Sequence, residues 1–269
     1  MSFARFGKNK RYDLQPELLD IHVPRMIEAH RVAGSYMTPS ELLNSGMIRI
    51  ENFLGKAVAG EIKAQAEKSA IKDGQSNESR IGSHPNSLAA HAMTPIWNVI
   101  APLFQPVARG EAQNLFVGNS YLQHLYNLPE DGDEQKVFHS DTFFPCVKFW
   151  YFPHSVSLDE GPFWYVPKSP VLTERLIQWH ADRVKDLKRG AAEEWRGPGH
   201  REGSFRISPE ELHELEYTPE PVTVEADTLV VANVYGFHRR GDTRKPTHRV
   251  SMHGSIRINN PFGYVEKTS

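Results

Sequence analysis

Two histidines and one aspartate have the residue types that a metal ion needs. His139 and Asp141 flank Ser140, and His238 follows about one hundred residues later. Residues i and i+2 project from the same face of a strand, so His139 and Asp141 can reach one ion. One carboxylate and two imidazoles on one side of a metal leave the opposite positions open, which suits a non-haem Fe(II) centre. The sequence therefore predicts a metal site at these three residues.

Arg249-Val250-Ser251, which begins eleven positions after His238, offers an anchor for a carboxylate ligand. A guanidinium can hold a carboxylate through two parallel hydrogen bonds. On a strand, Arg249 and Ser251 share one face and Val250 lies on the other. Such a polar face usually points into water, but its position after His238 favours an inward orientation toward an anionic ligand.

Each of these residues also has a plain structural interpretation. Among thirteen His and thirty-three acidic residues, a His-x-Asp triplet arises easily by chance. His139 and Asp141 could form a hydrogen-bonded pair at a strand end, and His238 could lie on the surface. The order and spacing of the whole set favour the metal site.

The surrounding segments resemble the phytanoyl-CoA dioxygenase-like branch of the Fe(II)/2-oxoglutarate oxygenases. The resemblance lies in FHSDTFFPCVKFWYF, EGPFWYVPKSP, PVTVEADTLVVANVYGFHRRGD and THRVSMHGSIRI, and it extends from about Met47 to Pro261. It implies a mainly β fold with flanking helices, a double-stranded β-helix, which is a cupin-like jelly roll. The chain departs from the branch at Ala226, where Gly is frequent, and at Asn127, where a Lys that helps to hold 2-oxoglutarate is frequent.

The resemblance also implies an activity. Fe(II) would be held by His139, Asp141 and His238, and 2-oxoglutarate and O2 would be cosubstrates. The cosubstrate contacts that it implies are Arg249, Ser251, Gln123, Asn127 and Trp150. The expected reaction oxidises a C–H bond of a small-molecule metabolite, by default through hydroxylation, and releases succinate and CO2. Desaturation and ring formation stay open as outcomes, and a free metabolite is favoured over a CoA thioester as substrate.

Two other functions stay open. A cupin-type metal dioxygenase that does not use 2-oxoglutarate would have no role for Arg249. A non-catalytic relative would bind a small molecule without consuming oxygen. The intact ligand set argues against the second, because degenerate relatives often lose a ligand.

Composition indicates a soluble globular protein. The 269 residues have 39% hydrophobic content and a mean hydropathy of -0.51, which suits one domain over 1–269. The net charge of -2 disfavours nucleic acid as a partner. With Cys146 alone, no intrachain disulfide can form, and a cytoplasmic location is expected. We predict no membrane span, because no run of eighteen apolar residues occurs. The oligomeric state is not indicated.

Periodicity predicts a helical N-terminal part followed by strands. The first predicted helix has its N-cap at Thr38 and Pro39 in its first turn and ends at about Asn44, and two more cover 58–71 and 87–104, the last interrupted at Pro95. Short β-branched and aromatic runs predict strands at 46–50, 115–117, 121–126, 147–152, 163–166, 222–224, 228–235 and 250–258. A helical insertion at about 170–221 contains a capping box at Ser208. Its Gly-rich loop, Gly197 to Gly203, is either a lid over the substrate or a surface connection.

The strand after His139-Ser140-Asp141 carries Lys148 and Trp150 on one face. Lys148 is either a solvated surface residue or part of a wall around 2-oxoglutarate and substrate. Phe143 and Phe144 either shape an apolar substrate pocket or fill the barrel core.

Overall fold

Ten strands and six helices make up the part of the chain that the structure describes. The computed structural model describes residues 16–37, 40–68, 78–82, 88–103, 115–117, 120–129, 132–188 and 205–258. The strands are β1 Met47–Ile50, β2 Glu78–Gly82, β3 Leu115–Val117, β4 Tyr121–Asn127, β5 Cys146–Phe152, β6 Phe163–Tyr165, β7 Glu220–Val222, β8 Thr228–Asn233, β9 His238–Arg240 and β10 Thr247–Ile258. The helices are α1 His22–Tyr36, α2 Ser40–Asn44, α3 Lys56–Lys68, α4 Leu88–Ile100, α5 Glu174–Lys188 and α6 Pro209–Glu214, with 3-10 turns at Pro16–Ile21, Ala101–Leu103 and Glu134–Lys136.

The strands form two antiparallel sheets. The large sheet has the order β1-β8-β5-β10-β4-β2, with β3 also paired to β10, and the small sheet has the order β7-β6-β9. From β4 onward the chain passes repeatedly between the sheets: β5, β8 and β10 join the large one, while β6, β7 and β9 join the small one. This alternation winds the two sheets around a common interior. The fold is the predicted double-stranded β-helix.

Helices cover the outer face of the large sheet. Val147, Phe149 and Tyr151 alternate along β5 and belong to one buried apolar cluster, as expected for every second residue of a strand. The N-terminal helices contribute to the same cluster the side chains of Ala33, Leu42, Ala59, Ile62, Ile96 and Ile100. The helical N-terminal part therefore closes the apolar side of the sheet and leaves the opposite face for the interior.

Two further clusters hold the interior and the insertion. Between the sheets, Phe152 and Val230 of the large sheet pack with Tyr165 and Val222 of the small one. Outside the small sheet, helices α1, α5 and α6 pack over an apolar cluster of Met26, Leu176, Leu212, Phe143, Phe144, Tyr235 and Phe237. The insertion thus packs against the barrel through an apolar cluster that it shares with α1. The part that contains Gly197 to Gly203 lies outside the described residues.

The acidic turn before β8 ties the helices to the sheet. Asp227 is fully buried and has a positive φ of 65°. Its carboxylate accepts hydrogen bonds from the backbone N–H groups of Leu54 and Gly55, both at 2.7 Å, and from the Tyr151 hydroxyl at 3.0 Å. Since Gly55 directly precedes α3, one side chain satisfies donors at the start of that helix and fixes it to β5.

Helix α4 runs through Pro95, so the predicted interruption is wrong. Proline removes one backbone hydrogen bond, and burial of Ile96 and Ile100 on the same helix offsets that loss. The capping box at Ser208 is confirmed, because its hydroxyl accepts from Glu211 N and the Glu211 carboxylate accepts from Ser208 N. Among the described residues, no helix has the length and apolarity needed to cross a bilayer.

Candidate metal centre

Backbone pairing brings His139 and His238 together from distant parts of the chain. His139 N donates to His238 O and His238 N donates to His139 O, both at 2.9 Å. Such a reciprocal pair places two residues directly opposite each other on neighbouring strands. Their imidazole rings consequently lie with centroids 4.6 Å apart.

Asp141 completes the cluster from a bend two residues after the isolated β-bridge of His139, and not from the regular strand that the sequence predicted. Its backbone N–H donates to Val234 O at 2.9 Å, which holds it beside the end of β8. The carboxylate Oδ1 lies 3.8 Å from His139 Nε2, and Oδ2 lies 3.7 Å from His238 Nε2. Within the described part of the chain, this is the one set of three or more His, Cys, Asp or Glu side chains whose ligand atoms come close enough to share an ion.

Hydrogen bonds to the backbone fix which imidazole nitrogen faces the cluster. His139 Nδ1 lies 2.8 Å from Val137 O, and His238 Nδ1 lies 2.8 Å from Gly236 O. A carbonyl can only accept, so each Nδ1 carries the proton and each Nε2 keeps its lone pair. A hydrogen bond from the ring nitrogen that faces away from the metal orients histidines that bind metals.

Burial and charge set the protonation of the three side chains for metal binding. Burial, together with the neighbouring His238, lowers the pKa of His139 to about 3, and burial also lowers the pKa of His238. Burial alone would raise the pKa of Asp141, but the Lys148 ammonium and the two imidazoles hold it well below its usual value. Neutral imidazoles beside an ionised carboxylate are the forms that coordinate a metal.

An unpartnered buried atom supports the fit of a metal ion. His139 Nε2 is buried and has no hydrogen-bond partner, although a buried nitrogen acceptor normally has one. A cation between this nitrogen, His238 Nε2 and the Asp141 carboxylate would satisfy it. This is the ligand set of a two-histidine, one-carboxylate facial triad.

The triad opens into a cavity of about 270 Å³ inside the barrel. Its wall includes Arg249, Gln123 and Trp150 as well as the triad itself. Arg249 donates from Nη1 to Gly161 O at 2.8 Å, and its guanidinium lies 5.9 Å from the centre of the Phe152 ring. The polar face of β10 therefore points inward, as expected, while Val250 on the opposite face is buried under the helices.

Two of the candidate cosubstrate contacts are not among the residues that line this cavity. Ser251 is buried, and its hydroxyl lies 3.4 Å from Gln123 Oε1, so it reaches the wall through that side chain. Asn127 is turned toward the β9–β10 connection, where its Nδ2 donates to Gly241 O at 3.1 Å. Phe143 and Phe144 belong to the apolar cluster under the insertion and not to the cavity wall.

Other wall residues were not singled out as site residues by sequence reasoning. They are Tyr121, Gln135, Lys148, Phe163, Arg239, Arg240 and His253. Alternation alone could have found Tyr121 and His253, because they share faces with Gln123 and Arg249. Gln135, which lies in a 3-10 turn, carries no such signal. Lys148 makes the closest contact to the triad, with Nζ 2.5 Å from Asp141 Oδ2.

The segment of the insertion that precedes α6 forms a strand-like edge beside the metal ligands. Ser140 N donates to Phe205 O at 3.1 Å, and Ile207 N donates to Phe138 O at 2.9 Å. Arg206 lies between these contacts, opposite His139. The insertion therefore supports the backbone that carries the triad.

The chain resembles several solved protein structures. The epimerase SnoN in complex with Fe3+, alpha ketoglutarate and nogalamycin RO is 15% identical, with a TM-score of 0.45, and the match covers 95% of this chain and 93% of that one. HygX from Streptomyces hygroscopicus, with nickel and 2-oxoglutarate bound, is 14% identical, with a TM-score of 0.43 and coverage of 81% and 84%. EctD from S. alaskensis, with 2-oxoglutarate and 5-hydroxyectoine, is 14% identical, with a TM-score of 0.47 and coverage of 86% and 79%. No protein-family model and no curated protein matches the sequence.

Proposed function

We propose that this chain is a non-haem Fe(II)/2-oxoglutarate-dependent oxygenase that hydroxylates a small-molecule metabolite. The observation that carries the proposal is the shared cavity of the His139-Asp141-His238 cluster and Arg249. A metal ligand set with open positions and a guanidinium in one chamber suit a cosubstrate that chelates the metal and carries a second carboxylate.

Each side chain has a distinct task in this proposal. His139 and His238 present the Nε2 lone pairs, and Asp141 supplies the charged ligand. Arg249 binds the far carboxylate of 2-oxoglutarate, with its Nη1 steadied by the Gly161 carbonyl. Bound Fe(II) supplies the activation of O2 that couples decarboxylation of 2-oxoglutarate to C–H oxidation.

The cavity also favours a small substrate. Trp150 and Phe163 pack against each other on its wall with ring centroids 4.8 Å apart, and they offer an apolar surface near the triad. Position within the cavity would decide which C–H bond is oxidised, because the reaction depends on holding the reacting atoms together. We further propose that residues 1–269 act as one catalytic domain in the cytoplasm.

Cosubstrate turnover tests the proposal without knowledge of the substrate. Purified protein is incubated with O2, 2-oxoglutarate and Fe(II), and succinate is measured with each component omitted in turn. We expect slow succinate formation that requires all three components, and faster formation when an extract supplies the true substrate.

Two outcomes would point to the other functions. Oxygen consumption that proceeds equally without 2-oxoglutarate would indicate a different metal dioxygenase. Binding of small molecules with neither oxygen consumption nor succinate would indicate a non-catalytic protein.

A further inference from the structure

Lys148 is the charged residue of β5, and its side chain lies beside the metal cluster. It projects from the middle of β5, where its backbone is paired with Ala232 of β8 and Ser255 of β10. Its side chain is 27% exposed, less than a solvated lysine would be, and it lines the cavity. The ammonium therefore reaches inward and not into bulk water.

The contact of Lys148 divides the two oxygens of Asp141. Its Nζ pairs with Oδ2 at 2.5 Å, and the same oxygen lies 3.7 Å from His238 Nε2. Oδ1 has no contact with the ammonium and faces His139 Nε2 at 3.8 Å. Opposite charges at this distance attract each other strongly where water is partly excluded. One oxygen of the carboxylate is thus already bound by the protein, and the other is available beside an imidazole nitrogen.

The ion pair also provides a counter-charge for a carboxylate that lies partly out of water. The Asp141 side chain is 20% exposed, and a charge in such a place is costly when it has no partner. An ammonium can fill this role before a metal ion arrives.

We propose that Lys148 is a positioning residue that holds Asp141 through Oδ2, so that the metal ion takes this ligand through Oδ1 alone. The inference rests on the proposed metal site. A carboxylate held by one oxygen occupies one coordination position and leaves the others for a chelating cosubstrate and O2. The same ammonium repels the metal ion, so the arrangement lowers metal affinity in exchange for a defined geometry.

The direction in which metal affinity changes when Lys148 is replaced distinguishes a positioning role from a merely structural one. Lys148→Met removes the charge, frees the second oxygen and keeps most of the side-chain volume. We expect metal binding to become at least about tenfold tighter, the size of effect that a unit charge a few ångströms away has in partly solvated surroundings. Damage to the fold would instead weaken binding.

The experiment uses Co(II), added to the full chain without 2-oxoglutarate, and follows both the heat of binding and visible absorption. The absorption bands of Co(II) change with its coordination number and so report one-oxygen against two-oxygen ligation. Lys148→Arg, which restores a cation, should return affinity and spectrum toward wild type. Lys185→Met is the matched control, because Lys185 is exposed and pairs with Asp182 on α5.

Combining Lys148→Met with Asp141→Asn tests whether the effect acts through the carboxylate. In the Asp141→Asn background, Lys148→Met should leave the Co(II) spectrum unchanged. If wild type binds Co(II) but Lys148→Met binds it equally or more weakly with the same spectrum, the positioning role is overturned while the metal site stands. If wild type binds no Co(II), both proposals fail.

Discussion

Replacing Arg249 by Ala perturbs the proposed cosubstrate site and leaves the metal ligands in place. The guanidinium lies on the inner face of β10, lines the same cavity as the triad and is held by the Gly161 carbonyl at 2.8 Å. Ala removes the charge and the parallel N–H donors of the guanidinium, whereas Lys restores the charge alone.

The expected loss of 2-oxoglutarate affinity depends on how well Arg249 is shielded from water. Truncating one partner of a buried, hydrogen-bonded charge pair costs about 2 to 5 kcal/mol. Arg249 is only half-buried, so water can replace part of the lost contact, and the lower part of that range applies. A loss of about 2 to 3 kcal/mol corresponds to about 30- to 150-fold weaker binding of 2-oxoglutarate. Lys at this position should recover part of that loss.

Calorimetric titration of the metal-loaded protein with 2-oxoglutarate, without O2, measures this affinity directly. Arg257→Ala is the matched control, because Arg257 shares the inward face of β10 by alternation but is not among the residues that line the cavity. Metal affinity should be the same in all variants. An unchanged 2-oxoglutarate affinity in Arg249→Ala would refute the anchor assignment and direct attention to Lys148 and the arginines of β9.

Three further predictions concern stability. Asp227→Ala removes the acceptor of three hydrogen bonds, of which the one from the Tyr151 hydroxyl is buried, and we expect about 1 to 3 kcal/mol less free energy of unfolding in urea titration; a loss below about 1 kcal/mol would contradict the role of this turn. Gly161→Ala should lose more than about 1 kcal/mol in the same assay, because φ is 67° and the new Cβ would meet the Asn127 amide. Burial lowers the pKa of His22 to about 3 and of His30 to about 4, from 6.5, so the unfolded chain binds more protons below that value. The free energy of unfolding should therefore fall as pH drops from about 7 to 4, and a urea midpoint that is constant over this range would contradict the neutral buried histidines.

Local patterns were sufficient to predict most of the barrel. Alternating and β-branched runs identified β4, β5, β8 and β10, because their alternate faces meet different surroundings. β9 was missed, since three residues after a turn carry too little periodicity and its pairing with β6 depends on distant sequence. Helix α1 was also missed: it contains Pro24 and Gly34, and burial of Met26, Ala29 and Ala33 against other elements holds it in place.

The candidate site shows the same division between local and distant information. Residue type and order were enough to place His139, Asp141 and His238 together, and the position of Arg249 after His238 favoured its inward direction. For Lys148 the sequence left a solvated face and a place on the cavity wall open, because a polar residue on a half-apolar strand usually faces water. Its actual neighbour, Asp141, depends on how β5 sits behind the preceding loop, which sequence periodicity does not encode. Asn127 was placed on the correct strand, but a long-range hydrogen bond to Gly241 turns it from the cavity.

The most direct test of the central claim is iron binding by the three proposed ligands. Wild type, His139→Ala, Asp141→Ala and His238→Ala are titrated with Fe(II) without O2, and bound iron is measured after removal of the free ion. We expect one Fe(II) per wild-type chain and a large loss of binding in every variant, with near-native circular dichroism. Retention of one tightly bound Fe(II) in any folded variant would contradict the assignment of that residue, and absence of stoichiometric binding to wild type would contradict the site.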